Sequence, residues 1–168
     1  ENFPWGWSFV SHVVANARMA NNEQAYNMLN KEIINTVAYN LCTMGGGNFQ
    51  VEANLGSPAA IGEMLLQSHE GYIAPLAALP TAWDSGSYSG LVARGNFSVG
   101  AAWEDGLAQV FEITSRSGER ASVYYPGIAN ATVTTSDGRA VSFTRDSLDL
   151  ISFDTKKGET YVITGFEE

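Results

Sequence analysis

The apolar residues of this chain change their spacing partway along it, so one segment must fold as helices and the other as strands. Phe9, Val10, Val13, Val14 and Ala17 recur with helical period. Asn21 and Asn22 interrupt that stripe and can cap a second helix, with Glu23 well placed in its first turn. Ala25, Tyr26, Met28, Leu29, Ile33, Ile34, Val37, Ala38 and Leu41 then continue the period over a wide arc. Wide arcs belong to helices buried on more than one side, so the pair expects further neighbours. Ser57-Pro58 predicts the start of a third helix, with Ala60, Ile61, Met64 and Leu65 facing inward.

From Tyr72 onward the period is two. Phe97, Val99, Ala101 and Trp103 alternate with small or polar residues, and Glu104-Asp105-Gly106 predicts a hairpin turn into Val110 to Ile113. Ser117-Gly118 turns the chain into a strand over 121–125. Thr132 to Thr135, Ser136-Asp137-Gly138 and Val141 to Phe143 predict another hairpin. Leu150 to Phe153 and Tyr161 to Ile163 complete seven or eight short strands, the spacing of an antiparallel β-sandwich. Pro80, Trp83 and Asp84-Ser85-Gly86 mark the hand-over. The expected fold is therefore α+β, with a helical part over 1–75 and a β-sandwich over 76–168.

Charge removes several function classes. Acidic residues number 18 against 9 basic, for a net charge of -9. Phosphate recognition draws on clustered Lys and Arg, so nucleic acid and anionic membrane surfaces are excluded as partners. No apolar run reaches the ~18 residues that cross a bilayer. The single cysteine, Cys42, has no internal partner, is expected as a plain buried thiol, and belongs to no Cys/His cluster. No metal and no cofactor are expected. The chain opens at Glu1 rather than at a Met, which suggests that an upstream part of the same polypeptide precedes it.

One segment stands out as a candidate site: Gly45-Gly46-Gly47-Asn48-Phe49-Gln50-Val51-Glu52-Ala53-Asn54-Leu55-Gly56. A long Gly-rich loop between helices is either functional or slack in a surface crossing. Glu52 favours function, as a lone carboxylate among Phe49, Val51 and Leu55, a setting in which an acid becomes chemically useful. No Lys-Ser or Lys-Thr follows the glycines, which rules out a phosphate loop. Trp7 and Asn54 could line a pocket there, or serve as a core aromatic and a loop-bracing amide. His12 is expected to pack or to hydrogen-bond a neighbour, and His69 to bond local carbonyls at a helix end. In the β part Trp83, Trp103, Tyr124 and Tyr125 either stack on a sugar or fill the core.

Trp5-Gly6-Trp7-Ser8, Ala17-Arg18-Met19, Phe49-Gln50-Val51-Glu52-Ala53-Asn54-Leu55-Gly56 and Ile61-Gly62-Glu63-Met64-Leu65-Leu66-Gln67-Ser68-His69-Glu70-Gly71 resemble glycoside hydrolase family 95, the α-L-fucosidases. Leu76 to Pro80, Trp83 and Gly90-Leu91-Val92-Ala93-Arg94-Gly95 resemble that family's passage into its C-terminal β domain. The resemblance implies the last helical hairpins of an (α/α)6 barrel followed by a β-sandwich. It also implies inverting hydrolysis of terminal α-L-fucose or a related sugar such as L-galactose. Fucosylated or related glycans would be the partners and an extracytoplasmic location is favoured. Glu52 stands where the family motif has Asp, on the side of the attacking water, while the general acid and a pair of Asn residues would come from upstream. Ala53 replaces the motif's Gly, and Gly45-Gly46-Gly47 replaces a His-Pro-Pro-like stretch. The fragment alone is expected to be inactive. A rival reading makes it a non-catalytic carbohydrate-binding or structural module.

Overall fold

The structure is a computed structural model describing residues 6–45 and 48–166, with backbone alone for 32–34, 44 and 45. Trp5, Gly46, Gly47 and the side chains of Ile33 and Ile34 lie outside the described residues. The chain divides into two compact units, one of 1–65 with 77–81 and one of 66–76 with 82–168.

In the helical unit, α1 (Gly6–Arg18) and α2 (Asn22–Thr36) are the two helices that the stripes predict. Phe9, Val13 and Ala17 are buried from α1, and Ala25, Met28 and Leu29 from α2. Val10 and Val14 are only half-buried. The connection is tight. Ala20 takes a left-handed conformation (φ 57°), and the Asn21 N–H closes back on the Asn16 carbonyl at 2.9 Å. This is the Schellman arrangement with Ala in the usual Gly position. The Asn21 carbonyl then accepts the Ala25 N–H at 2.9 Å and opens α2.

The third helix, α3 (Val51–Leu65), begins well before the expected Ser57-Pro58 and carries Pro58 inside it. The Asn54 N–H bonds the Gln50 carbonyl at 3.2 Å, so helical pairing is under way before the proline arrives. Pro58 cannot donate to the Asn54 carbonyl, which costs the helix one internal bond. One residue earlier the Ser57 Oγ donates to the Ala53 carbonyl at 2.7 Å, a local bond that accompanies bent helices. Gly56 allows the close approach of α1 and α3, since a Cβ there would lie 2.7 Å from Val10 Cγ1. The return segment 77–81 is tied to the same unit: the Ala78 N–H bonds the Met64 carbonyl, and the Thr81 N–H bonds Glu23 Oε1 at 2.7 Å.

Between α2 and α3 a two-residue strand β1 (Met44–Gly45) pairs antiparallel with β2 (Asn48–Phe49). The second unit opens with another short pair, β3 (Leu66–Gln67) and β4 (Ala74–Pro75). Its main strands are β5 (Gly86–Ala93), β6 (Phe97–Glu104), β7 (Leu107–Ser115), β8 (Ala121–Tyr124), β9 (Thr132–Thr135), β10 (Thr144–Arg145), β11 (Leu150–Phe153) and β12 (Thr160–Thr164). Five of them form an antiparallel sheet in the order β5-β6-β7-β12-β9, and three form a second in the order β10-β11-β8. Phe111, Ile113, Val123, Ile128, Ile151 and Ile163 are fully buried, so both sheets contribute to one core. Rings continue it: Phe153 lies 5.2 Å from Tyr161, and Phe111 4.7 Å from Phe166. The α+β class, with a helical segment leading into an antiparallel sandwich, is the observed one.

The Asp105-Gly106 turn behaves as its sequence predicts. Both residues have positive φ (54° and 75°), which matches the twist of the flanking strands, and Glu104 pairs with Leu107. The predicted partner for β9 does not form. Only Ala140 bridges back to Thr134, and the Val141 N–H bonds the Val133 carbonyl at 2.9 Å. The chain then leaves the sheet and pairs β10 with β11 in the opposite one. Arg145 secures that crossing, its Nε donating to the Ala129 carbonyl at 2.7 Å and its guanidinium lying over the Phe143 ring. No described helix is long and apolar enough to cross a membrane.

Candidate functional site

The loop from Val37 to Gln50 folds back on itself before α3 starts. Val37 bridges to Thr43, and the Ala38 N–H bonds the Cys42 carbonyl at 2.9 Å. Thr43 and Gln50 close the base of the β1–β2 hairpin, the Gln50 N–H donating to the Thr43 carbonyl at 2.9 Å. Both side chains are buried. Gln50 Oε1 also accepts the Trp7 N–H at 3.4 Å, at the amino end of α1. Gly6 makes this junction possible, because a Cβ there would sit 2.4 Å from Thr43 Cγ2 and 3.0 Å from Ala53 Cβ.

Asn54 is the clamp of the loop. Its Oδ1 accepts the Thr43 N–H at 2.7 Å and its Nδ2 donates to the Leu41 carbonyl at 3.0 Å. Leu41 itself has φ 64°, a left-handed conformation that a leucine adopts only when its surroundings hold it there. Of the two readings for Asn54, the geometry displays the loop-bracing one. Trp7 is not a core aromatic, since half of it is exposed (50%).

Glu52 is exposed in the first turn of α3, where the positive end of the helix dipole favours an anion. No ion pair or hydrogen bond engages its carboxylate among the described residues. The apolar residues expected to enclose it do not: Phe49, Val51 and Leu55 are themselves exposed. The structure thus brings Trp7, Glu52 and Asn54 to one end of the helical unit, where the amino ends of α1 and α3 meet the loop. Gln50 and Thr43, which sequence reasoning did not single out, join these elements, and a glutamine next to Val51 at a helix start was their only signal.

The remaining candidates fall elsewhere. His12 Nδ1 lies 2.7 Å from the Ser8 carbonyl of its own helix, and Cys42 is a free, half-buried thiol rather than a fully buried one. His69 does not bond local carbonyls. It lies beyond α3 and β3, with Nε2 3.4 Å from Glu70 Oε1 and a buried Nδ1 without a partner. In the β unit Trp103 and Tyr125 are structural: the Trp103 Nε1–H donates to the Trp83 carbonyl at 2.8 Å, and the Tyr125 hydroxyl accepts the Ala108 N–H at 3.0 Å. Tyr124 is partly exposed, with its ring beside Tyr72. No group of three or more His, Cys, Asp or Glu able to hold a metal exists among the described residues.

The helical unit and the β-sandwich that follows it correspond to two separate family matches. Residues 4–65 match the glycosyl hydrolase family 95 catalytic domain, and residues 67–163 match the glycoside hydrolase family 95 C-terminal domain. The chain belongs to glycoside hydrolase family 95. It is 32% identical over 152 residues to alpha-L-fucosidase 2 of Arabidopsis thaliana, a match covering 84% of this chain. The chain spans 18% of the length of that curated relative.

Proposed function

We propose that this chain supplies the water-side carboxylate of an inverting hydrolase acting on terminal α-L-fucose or a related sugar such as L-galactose. In this reading the helical part forms the end of an α/α-barrel catalytic domain and the sandwich its C-terminal β domain. The observation that carries it is the placement of Glu52, an acid without a partner among the described residues, at the junction that also holds Trp7 and Asn54. Its position in the run from Phe49 to Gly56 and the similarity to an enzyme named alpha-L-fucosidase supply the substrate class.

Inverting hydrolysis places a water between two carboxyl groups that stand roughly 6.5–9.5 Å apart. Glu52 orients and deprotonates that water as it attacks the anomeric carbon. The general acid, which protonates the leaving oxygen from the opposite side, and the Asn pair that holds the water come from upstream residues of the same polypeptide. The exposed apolar rim of Trp7, Tyr39, Leu41, Phe49, Val51 and Leu55 is the surface those residues cover. A Glu in place of Asp carries the carboxylate on one further methylene, so the water it serves stands about 1 Å farther from the backbone.

The test uses the polypeptide that includes the upstream catalytic residues. Glu52→Gln keeps the side-chain shape and removes the base, so hydrolysis of a nitrophenyl α-L-fucoside or its L-galactoside analogue should fall about 10²–10⁴-fold. Circular dichroism should be unchanged. A variant hydrolysing both glycosides at the parent rate would remove Glu52 from the mechanism.

A further inference from the structure

A second recess lies wholly within the β unit, with a volume of about 630 Å³. Its walls come from the segment after β3, the β5–β6 turn and the β7–β8 connection. Backbone pairing sets their positions. The Ile73 N–H bonds the Ser122 carbonyl and the Tyr124 N–H bonds the Ile73 carbonyl, both at 2.8 Å. That brings Tyr72 alongside Tyr124, with ring centroids 5.1 Å apart and planes inclined by 31°. Tyr124 is the one aromatic of this unit among the exposed large hydrophobic residues, while Trp103 and Phe111 are spent on the core.

The polar side chains around Tyr72 are held but not saturated. Arg94 is pinned by its backbone N–H to Ser68 Oγ at 3.1 Å, and its Nη1 makes only a long 3.5 Å contact to the His69 carbonyl. Asn96, fixed at φ 62°, donates Nδ2 to Ser117 Oγ at 2.8 Å. Its Oδ1 keeps its acceptor capacity among the described residues. The Glu119 carboxylate has no partner there either. The second cation, Arg120, is already neutralised by Asp154 at 2.9 Å. The charges left on the recess are the Arg94 guanidinium and the Glu119 carboxylate, and the Glu70 carboxylate beside Tyr72 tips the balance negative.

We infer that this recess is an accessory binding site for a neutral oligosaccharide. Tyr72 offers a ring face to a sugar's apolar side, and Arg94, Asn96 and Glu119 offer a donor and two acceptors to its hydroxyls. An anionic ligand would be drawn by Arg94 but repelled by Glu119 and by Glu70 nearby, so charge favours an uncharged sugar over an acidic one. The inference rests on the proposed function only for the class of ligand. The site itself is separate from Glu52 in sequence and in role.

Calorimetric titration of the whole chain carrying Glu52→Gln separates the two proposals, because binding at the recess does not need that acid. With lactose, 2′-fucosyllactose and 3′-sialyllactose as probes, saturable binding of at least one neutral probe is expected, with the sialylated probe weaker. Arg94→Ala and Glu119→Ala, both on exposed side chains, should each weaken the neutral probe at least tenfold while the melting temperature holds. Tyr72→Phe should retain binding and Tyr72→Ala should lose it. Absence of binding, preference for the sialylated probe, or unchanged affinity in Arg94→Ala and Glu119→Ala would each overturn the site. If binding persists while Glu52→Gln leaves hydrolysis intact, the catalytic reading fails and this one stands.

Discussion

The two units treat their own apolar surface differently. The β unit gathers Phe111, Phe153, Ile113, Ile151 and Ile163 into a core at or near complete burial, while Val92, Leu107, Tyr124 and Leu148 stay exposed. The helical unit buries Phe9, Val13 and Met64 but leaves Trp7, Tyr39, Leu41, Phe49, Val51 and Leu55 exposed around the junction that carries Glu52. Met19, just past the other end of α1, is exposed as well, so the exposed apolar groups of this unit are not confined to the junction. The comparison separates two tasks. On the proposed function, the sandwich is expected to hold most of the chain's own stability, and the helical unit to present chemistry that depends on further polypeptide.

That division can be attacked where it is strongest. Phe111 touches Tyr125 at 5.1 Å and Phe166 at 4.7 Å between ring centroids, and nothing of it reaches solvent. Phe111→Ala removes a fully buried ring and should destabilise the β unit by about 3–5 kcal/mol. Urea unfolding followed by near-ultraviolet circular dichroism measures this, and a loss under about 1 kcal/mol would show that the sandwich is not the main reserve.

A smaller effect is expected at the junction. Asn54→Ala deletes two hydrogen bonds that hold the loop, at about 0.5–1.5 kcal/mol each. The expected loss is about 1–3 kcal/mol, with faster amide exchange at Thr43, whose N–H the side chain accepts. Unchanged exchange at Thr43 would mean that the loop is held by the hairpin alone.

The smallest effect tests whether the β unit is packed without polar error. The Tyr88 hydroxyl is buried with no partner among the described residues, and burial raises its pKa well above the ordinary phenol value. Tyr88→Phe removes an unsatisfied group and keeps the ring against Trp103, 6.4 Å away. Stability should rise or stay level, within about 1 kcal/mol. A loss of 2 kcal/mol or more in the same urea assay would reveal a hydrogen bond to the hydroxyl.

Much of the fold is legible in the residues, and the exceptions have physical causes. The stripes of α1 and α2 are visible because one face of each is buried against the other. The start of α3 is hidden by Ser57-Pro58, which reads as a cap and first helical residue although the helix has already begun at Val51. Strand β5 escapes notice because Gly86, Ser87, Ser89 and Gly90 carry little hydrophobic signal and a register shift between Tyr88 and Leu91 breaks its alternation. The crossing after β9 is invisible to a local turn rule, because Val141 and Phe143 have strand character and only tertiary pairing decides which sheet receives the chain. At the junction, Glu52 is legible as an unusual acid, but the roles of Gln50 and Thr43 are not. Their contacts join residues more than forty positions apart along the chain or close a hairpin base that no pattern marks.

Asn54 mounts the loop on the same helix that carries Glu52, and its two bonds reach Thr43 and Leu41, on the α2 side of the hairpin. The side chain of Asn54 therefore couples the direction of α3, and with it Glu52, to the backbone at Thr43 and Leu41, so a shift on either side of the clamp is felt on the other.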